Sequence, residues 1–145
     1  LITSSAASDV YKRQILYIMF NYPNIISPRV ELFEDIQFSS SQLNRLKAEL
    51  LVIISEDKFN QKNLEDLTKR YSDLIKDINQ NAVIKNIFQK KEEEKQIELL
   101  NEILKELNDI KFSKKIENLE NKLIEKFDEK SYSDLIKLKS KINKE

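Results

Sequence analysis

The 145-residue chain has no cysteine, no histidine, no glycine and no tryptophan, and only two prolines. Without thiols or imidazoles it forms no disulfide and no zinc site of the usual thiolate or imidazole kind. The familiar Cys- and His-based catalytic roles are excluded with them. Without glycine it has neither a phosphate-cradling loop nor a dinucleotide-binding fingerprint, and tight hairpin turns are disfavoured. Neither sign of charge is in excess: 25 Lys and Arg face 25 Asp and Glu. That balance removes the strongest argument for nonspecific nucleic-acid binding, which needs a basic face. The clean apolar run Ile15 to Phe20 is six residues, against about 20 for a membrane span. It is also short for a signal-peptide core. What is present is 34 % charged and 40 % hydrophobic, enough for one ordinary domain or two small ones. These figures imply a soluble, cytoplasmic, helical chain that is not an enzyme.

Periodicity supports an all-α fold. Ile15, Leu16, Met19 and Phe20 are spaced for a helix that stops before Pro23, since the residue preceding proline disfavours helical geometry. Ser27-Pro28 reads as a cap with proline in the first turn of a short helix carrying Leu32, Phe33 and Ile36. Ser39 and Gln42 fit a capping box for a helix with Leu43, Leu46, Leu50 and Ile54 on one face. Ser55 to Asn60 reads as a connection. Three short helices follow, marked by Leu64, Leu67 and Tyr71, then by Leu74, Ile75 and Ile78, then by Val83, Ile84, Ile87 and Phe88. The Asn79-Gln80-Asn81 cluster separates the last two.

Beyond residue 90 the pattern changes. Ile97, Leu100, Leu104 and Leu107, then Phe112, Ile116, Leu119, Leu123 and Phe127, keep steps of three to five residues. One helix from 92 to 127 is expected, with Ser113 a candidate kink. Ser131 and Asp134 resemble a capping pair for a last helix carrying Leu135, Ile136, Leu138 and Ile142. The short connection at Asp128 to Lys130 implies an antiparallel hairpin. The expected architecture is a compact multi-helix bundle over 15–90, then a long helix and C-terminal helical hairpin over 91–145, tilting about a hinge near residue 90. Residues 1–14 stand apart in composition. Thr3 to Gln14, TSSAASDVYKRQ, resembles translated sequencing-adaptor carry-over, which makes 1–14 a non-native leader and places the natural start near Ile15. Helix is expected to extend back to about Asp9.

Three constellations invite a functional reading. Glu94, Glu98, Glu102 and Glu106 form an acidic row, but carboxylate metal sites in bundles add Glu-x-x-His pairs and there is no histidine. A solvated face is expected, with no metal or cofactor. Lys114, Lys115, Lys122 and Lys126 are interspersed with Glu117, Glu120, Glu125 and Asp128, and uncompensated cations are what phosphate binding rewards. No direct nucleic-acid binding is expected, and Tyr11, Tyr17, Tyr22, Tyr71 and Tyr132 do not alter that. The apolar residues of the hairpin are more informative. Two helices bury one seam, so most of these apolar side chains are expected in the hairpin's own core, and the few beyond it form an exposed patch for a partner. Phe112 belongs to this set, and the candidate partner-binding residues are Phe127, Tyr132, Leu135, Ile136, Leu138 and Ile142.

Ile15 to Ser55 resembles the start of the C-terminal, helicase-binding domain of bacterial DNA primase. The matching pieces are Ile15-Leu16 and Asn21-Tyr22-Pro23, where the family commonly has His-Pro. Ile25-Ile26, Glu31, Glu34-Asp35, Phe38-Ser39-Ser40 and the leucine-rich run Leu43 to Leu51 follow in order. Leu99 to Glu145 resembles the closing hairpin of that domain, with the turn Asp128-Glu129-Lys130 and a leucine-rich last helix from Leu135 to Ile142. Leu64 to Phe88 fits in position and length. The resemblance implies a monomeric module that docks primase on the N-terminal domain of the hexameric replicative helicase, coupling primer synthesis to unwinding. The catalytic and zinc-binding parts of such a primase lie upstream. The competing expectation is a self-associating coiled-coil or scaffold segment, since Ile97 to Leu107 permits heptad-like pairing over less than two heptads.

Overall fold

The computed structural model describes the backbone of residues 4–80 and 82–142, and the side chains of 8–80 and 84–142. Every regular element among these residues is helical. None of the helices is long and apolar enough to cross a membrane. Asn81 and the Val83 side chain, both included in the sequence expectations, lie outside the described residues.

Helix α1 (Ser4–Asn21) occupies the centre. Ile15, Leu16, Tyr17, Ile18 and Met19 are all buried. Five consecutive buried residues cover every side of a helix, so this segment is enclosed rather than laid on a surface. It packs against α2 (Pro23–Ile26), α4 (Ser41–Ser55), α6 (Ser72–Asn79) and α8 (Glu93–Glu125). The helix ends before Pro23, and Asn21 Nδ2 donates to the Tyr17 carbonyl at 2.9 Å and to Asn79 Oδ1 at 3.1 Å. Its described part reaches back to Ser4, earlier than the expected Asp9. Within the stretch read as a leader, Tyr11 packs against the core and Lys12 Nζ lies 6.0 Å from the centre of the Phe38 ring.

The next turns depart from the sequence expectation in their caps. Ser27 does not cap a helix with its side chain; Pro28 sits in the first turn of a 3-10 segment, Ser27–Arg29. Helix α3 (Glu31–Glu34) is one turn long and leaves Ile36 beyond its end. The cap of α4 is Ser40, not Ser39, with its Oγ accepting from Leu43 N–H at 3.4 Å. No Gln stands at the third helical position, so the capping box is absent. Asn44 explains the register: its Oδ1 accepts from Phe38 N–H at 2.8 Å and its Nδ2 donates to the Phe38 carbonyl at 3.0 Å. This clamp holds the buried Phe38 backbone one turn ahead of the helix.

Helix α4 ends in a Schellman motif. Lys58 N–H donates to the Ile53 carbonyl at 2.8 Å and Asp57 N–H to that of Ile54 at 3.2 Å. Asp57 takes the left-handed conformation, φ 56°, that glycine usually fills. Asn60 then caps α5 (Gln61–Arg70), accepting from Asn63 N–H at 2.9 Å. Leu67, Ile75, Ile78, Ile84 and Phe88 carry α5, α6 and α7 (Ala82–Gln89) onto the shared core.

The bundle does not end at residue 90. Leu100 and Ile103 of α8 are buried in the same core, and Ile97, Leu99, Leu104 and Leu107 pack against it. Gln96, itself buried, donates from Nε2 to the Phe88 carbonyl at 2.8 Å. This bond ties the start of α8 to the end of α7 at the place where a hinge was expected. Helix α8 runs through Ser113 without a break for 33 residues, about 50 Å at 1.5 Å per residue. Its first half is a bundle helix and its second half pairs with α9 (Glu129–Ile142).

Candidate docking surface on the helical hairpin

The hairpin is built on a single seam. Phe112, Ile116, Leu119 and Leu123 are half-buried on α8, spaced four, three and four residues apart, so they form one stripe. From α9, Leu135 is only 5 % exposed, while Leu138 and Ile142 are half-buried. Leu135 lies outside the bundle's core cluster, and α9 packs chiefly on α8. The hairpin therefore has a small core of its own.

Its turn is set by Asp128. Oδ2 accepts from Ser131 Oγ at 2.9 Å and Oδ1 from Lys130 N–H at 3.3 Å. These bonds, the Ser131 hydroxyl first and the Lys130 amide next, hold the Asp128 carboxyl below its ordinary value. The expected Ser131–Asp134 cap is thus corrected. The helix starts three residues earlier, at Glu129, and Ser131 donates to the capping aspartate.

The six candidate residues divide by position. Phe127 is 64 % exposed, Ile136 is 50 % exposed and Tyr132 is similarly open. Leu135, Leu138 and Ile142 belong to the seam and hold the hairpin together. Sequence reading missed Ile124, which at 83 % is the most exposed large apolar side chain described. The available signal was its register, one residue past Leu123 and off the seam stripe. The rings of Phe127 and Tyr132 lie 5.8 Å apart.

One flank can be traced from an ion pair. Lys139 Nζ meets Glu120 Oε1 at 3.0 Å across the hairpin. Toward the turn from Glu120 comes Ile124; toward the turn from Lys139 come Ile136 and Tyr132, at helical spacing. Ile124, Phe127, Tyr132 and Ile136 thus gather at the hairpin end on the flank marked by that pair.

Glu94, Glu98, Glu102 and Glu106 are exposed, with Lys95 Nζ 3.3 Å from Glu98. Among the described residues no group of three or more His, Cys, Asp or Glu is placed to hold a metal. Tyr17 is buried, and burial, then the neighbouring Tyr22, pushes its phenol up. Tyr22 packs on Phe88 with ring centres 5.1 Å apart. Tyr71 donates to Glu49 Oε2 at 2.5 Å, which together with burial raises its phenol, and Arg70 Nη1 meets Glu49 Oε1 at 2.7 Å. These contacts tie α5 to α4. Compared with protein-family models, curated proteins and solved structures, the chain matches none.

Proposed function

We propose that this chain is a protein-docking module, the helicase-binding part of a bacterial DNA primase, and that its hairpin end is the handle. The observation that supports this reading is the apolar end formed by Ile124, Phe127, Tyr132 and Ile136. It sits on a hairpin whose long helix is rooted in the bundle through Leu100 and Ile103. The family resemblance supplies the partner, the N-terminal domain of the replicative helicase. On this reading the chain performs no primer synthesis, which belongs to parts of a primase that lie upstream.

The mechanism is helix-on-helix docking with apolar anchors at the centre and charges at the rim. Complete burial of one such side chain contributes about 1.5–3 kcal/mol. Four of them stand against an association cost of about 4–15 kcal/mol. At the favourable end of these ranges the surplus is about 8 kcal/mol, which corresponds to an affinity of about a micromolar and a reversible contact.

A calorimetric titration of the whole chain with the isolated N-terminal domain of a bacterial replicative helicase tests the proposal. Saturable binding is expected, and none at high micromolar concentration removes the reading. Sedimentation of the chain alone separates it from the scaffold alternative. A monomer is expected, whereas a dimer at micromolar concentration transfers the apolar end to self-association.

A further inference from the structure

The flank of the hairpin opposite the Glu120–Lys139 pair is a groove of about 500 Å³ between α8 and α9. Four lysines line it, Lys115 and Lys122 from α8 and Lys137 and Lys141 from α9, over the half-buried Leu119 and Leu138. None of these ammonium groups forms an ion pair with a described residue, and Asp134 is the one carboxylate in the lining. Glu117, Glu120 and Glu125 are absent from it. The lining therefore carries more positive than negative charge. At one end Lys115 and Lys141 bracket the Phe112 ring, their Nζ atoms 6.0 and 5.8 Å from its centre. That contact orients two of the four cations before any ligand arrives.

We infer that this groove receives an acidic amphipathic helix from a partner protein, which completes a three-helix arrangement with α8 and α9. The lysines argue for carboxylates, because four cations against the single carboxylate of Asp134 leave the groove positive and favour a partner of opposite sign. The leucine floor argues for a helix with an apolar stripe, since two half-buried leucines gain when a third helix covers them. Both features together favour a protein over a nucleic acid. A phosphate backbone has nothing to place on Leu119 and Leu138, and a chain of zero net charge has no long-range basic field to attract one. Lys137 and Lys141 are one turn apart and Lys115 and Lys122 two turns apart, the spacing of flanking charges along a paired helix. The inference is independent of the primase reading, which concerns the other flank.

The test uses the whole chain and a fluorescein-labelled synthetic helix of about three heptads, with Leu at the core positions and Glu at the flanking ones. Fluorescence anisotropy is expected to show binding that weakens with added salt. The double variant Lys122→Glu/Lys137→Glu is expected to weaken it about tenfold, while Lys62→Glu/Lys85→Glu, the same charge change at exposed positions of α5 and α7, leaves it unchanged. Circular dichroism checks that the double variant is folded, and Lys122→Ala/Lys137→Ala serves if it is not. Undiminished binding by the folded lysine variants overturns the inference, as does no binding at about millimolar peptide. Tighter binding of single-stranded oligothymidylate through the same lysines also overturns it and assigns the groove to nucleic acid.

Discussion

Lys47 is 5 % exposed, unusual for a lysine. Its Nζ donates to the Glu34 carbonyl at 2.9 Å and to that of Ile36 at 2.5 Å, closing the end of α3 from α4. Burial lowers its pKa, and the nearby Asp35 and Glu34 carboxylates only partly offset this. The unfolded chain therefore binds more protons than the folded one between the lowered value and the ordinary lysine value. Stability from this group rises with pH across that alkaline window. Lys47→Met keeps the volume but strands two carbonyls, and is expected to cost about 1–3 kcal/mol near neutral pH. The gap to wild type should widen as denaturation is repeated toward pH of about 10. A gap that does not change with pH would show that Lys47 titrates as in the unfolded chain. Asp57 makes the opposite prediction. Its left-handed backbone suits glycine better, so Asp57→Gly should stabilise the fold by about 0.5–1 kcal/mol in urea denaturation. Neither residue was legible beforehand. A buried lysine and a left-handed aspartate are fixed by tertiary packing, and adjacent serines at 39, 40 and 41 do not disclose which one caps.

Helices themselves were far more legible than their ends. The steps from Ile97 to Leu123 foretold α8, because a 3.6-residue period survives any detail of capping, but Leu135, Leu138 and Ile142, expected to face a partner, are turned into the seam instead. The end of α9 shows the limit. Asp128 caps it because the turn places that carboxylate beside the Ser131 hydroxyl, which spacing alone cannot reveal. The Asp128 carboxyl is held low, so its support for α9 is present above the ordinary aspartate value and is lost as pH falls through the lowered one. Asp128→Ala should fray the start of α9. Faster amide exchange at Glu129 to Tyr132 at neutral pH, with little further change on acidification, is the expected signature. Unchanged exchange would mean the turn is held by the Phe127–Tyr132 contact instead.

For the molecule as a whole, the all-α class and the bundle-then-hairpin order followed from the sequence. The place where the bundle stops did not. A break in composition near residue 90 suggested a boundary, but α8 carries Leu100 and Ile103 into the bundle core. A long amphipathic helix can change partners halfway without changing its period. The same ambiguity mixed seam and surface among the candidate residues, since Leu135 and Ile136 are adjacent yet opposite in burial. Leu135→Asp should separate the hairpin while leaving the bundle's cooperative unfolding in place, because Leu135 lies outside the bundle's core cluster. Loss of the whole transition would show that the two cores are one. Ile136→Asp and Phe127→Asp change exposed positions and should leave both parts folded. The most direct measurement is the calorimetric titration of the helicase N-terminal domain with wild type and with the Phe127→Asp/Ile136→Asp double variant, side by side. The wild type should bind and the folded double variant should lose at least about tenfold in affinity; equal affinities would contradict a docking role for the hairpin end.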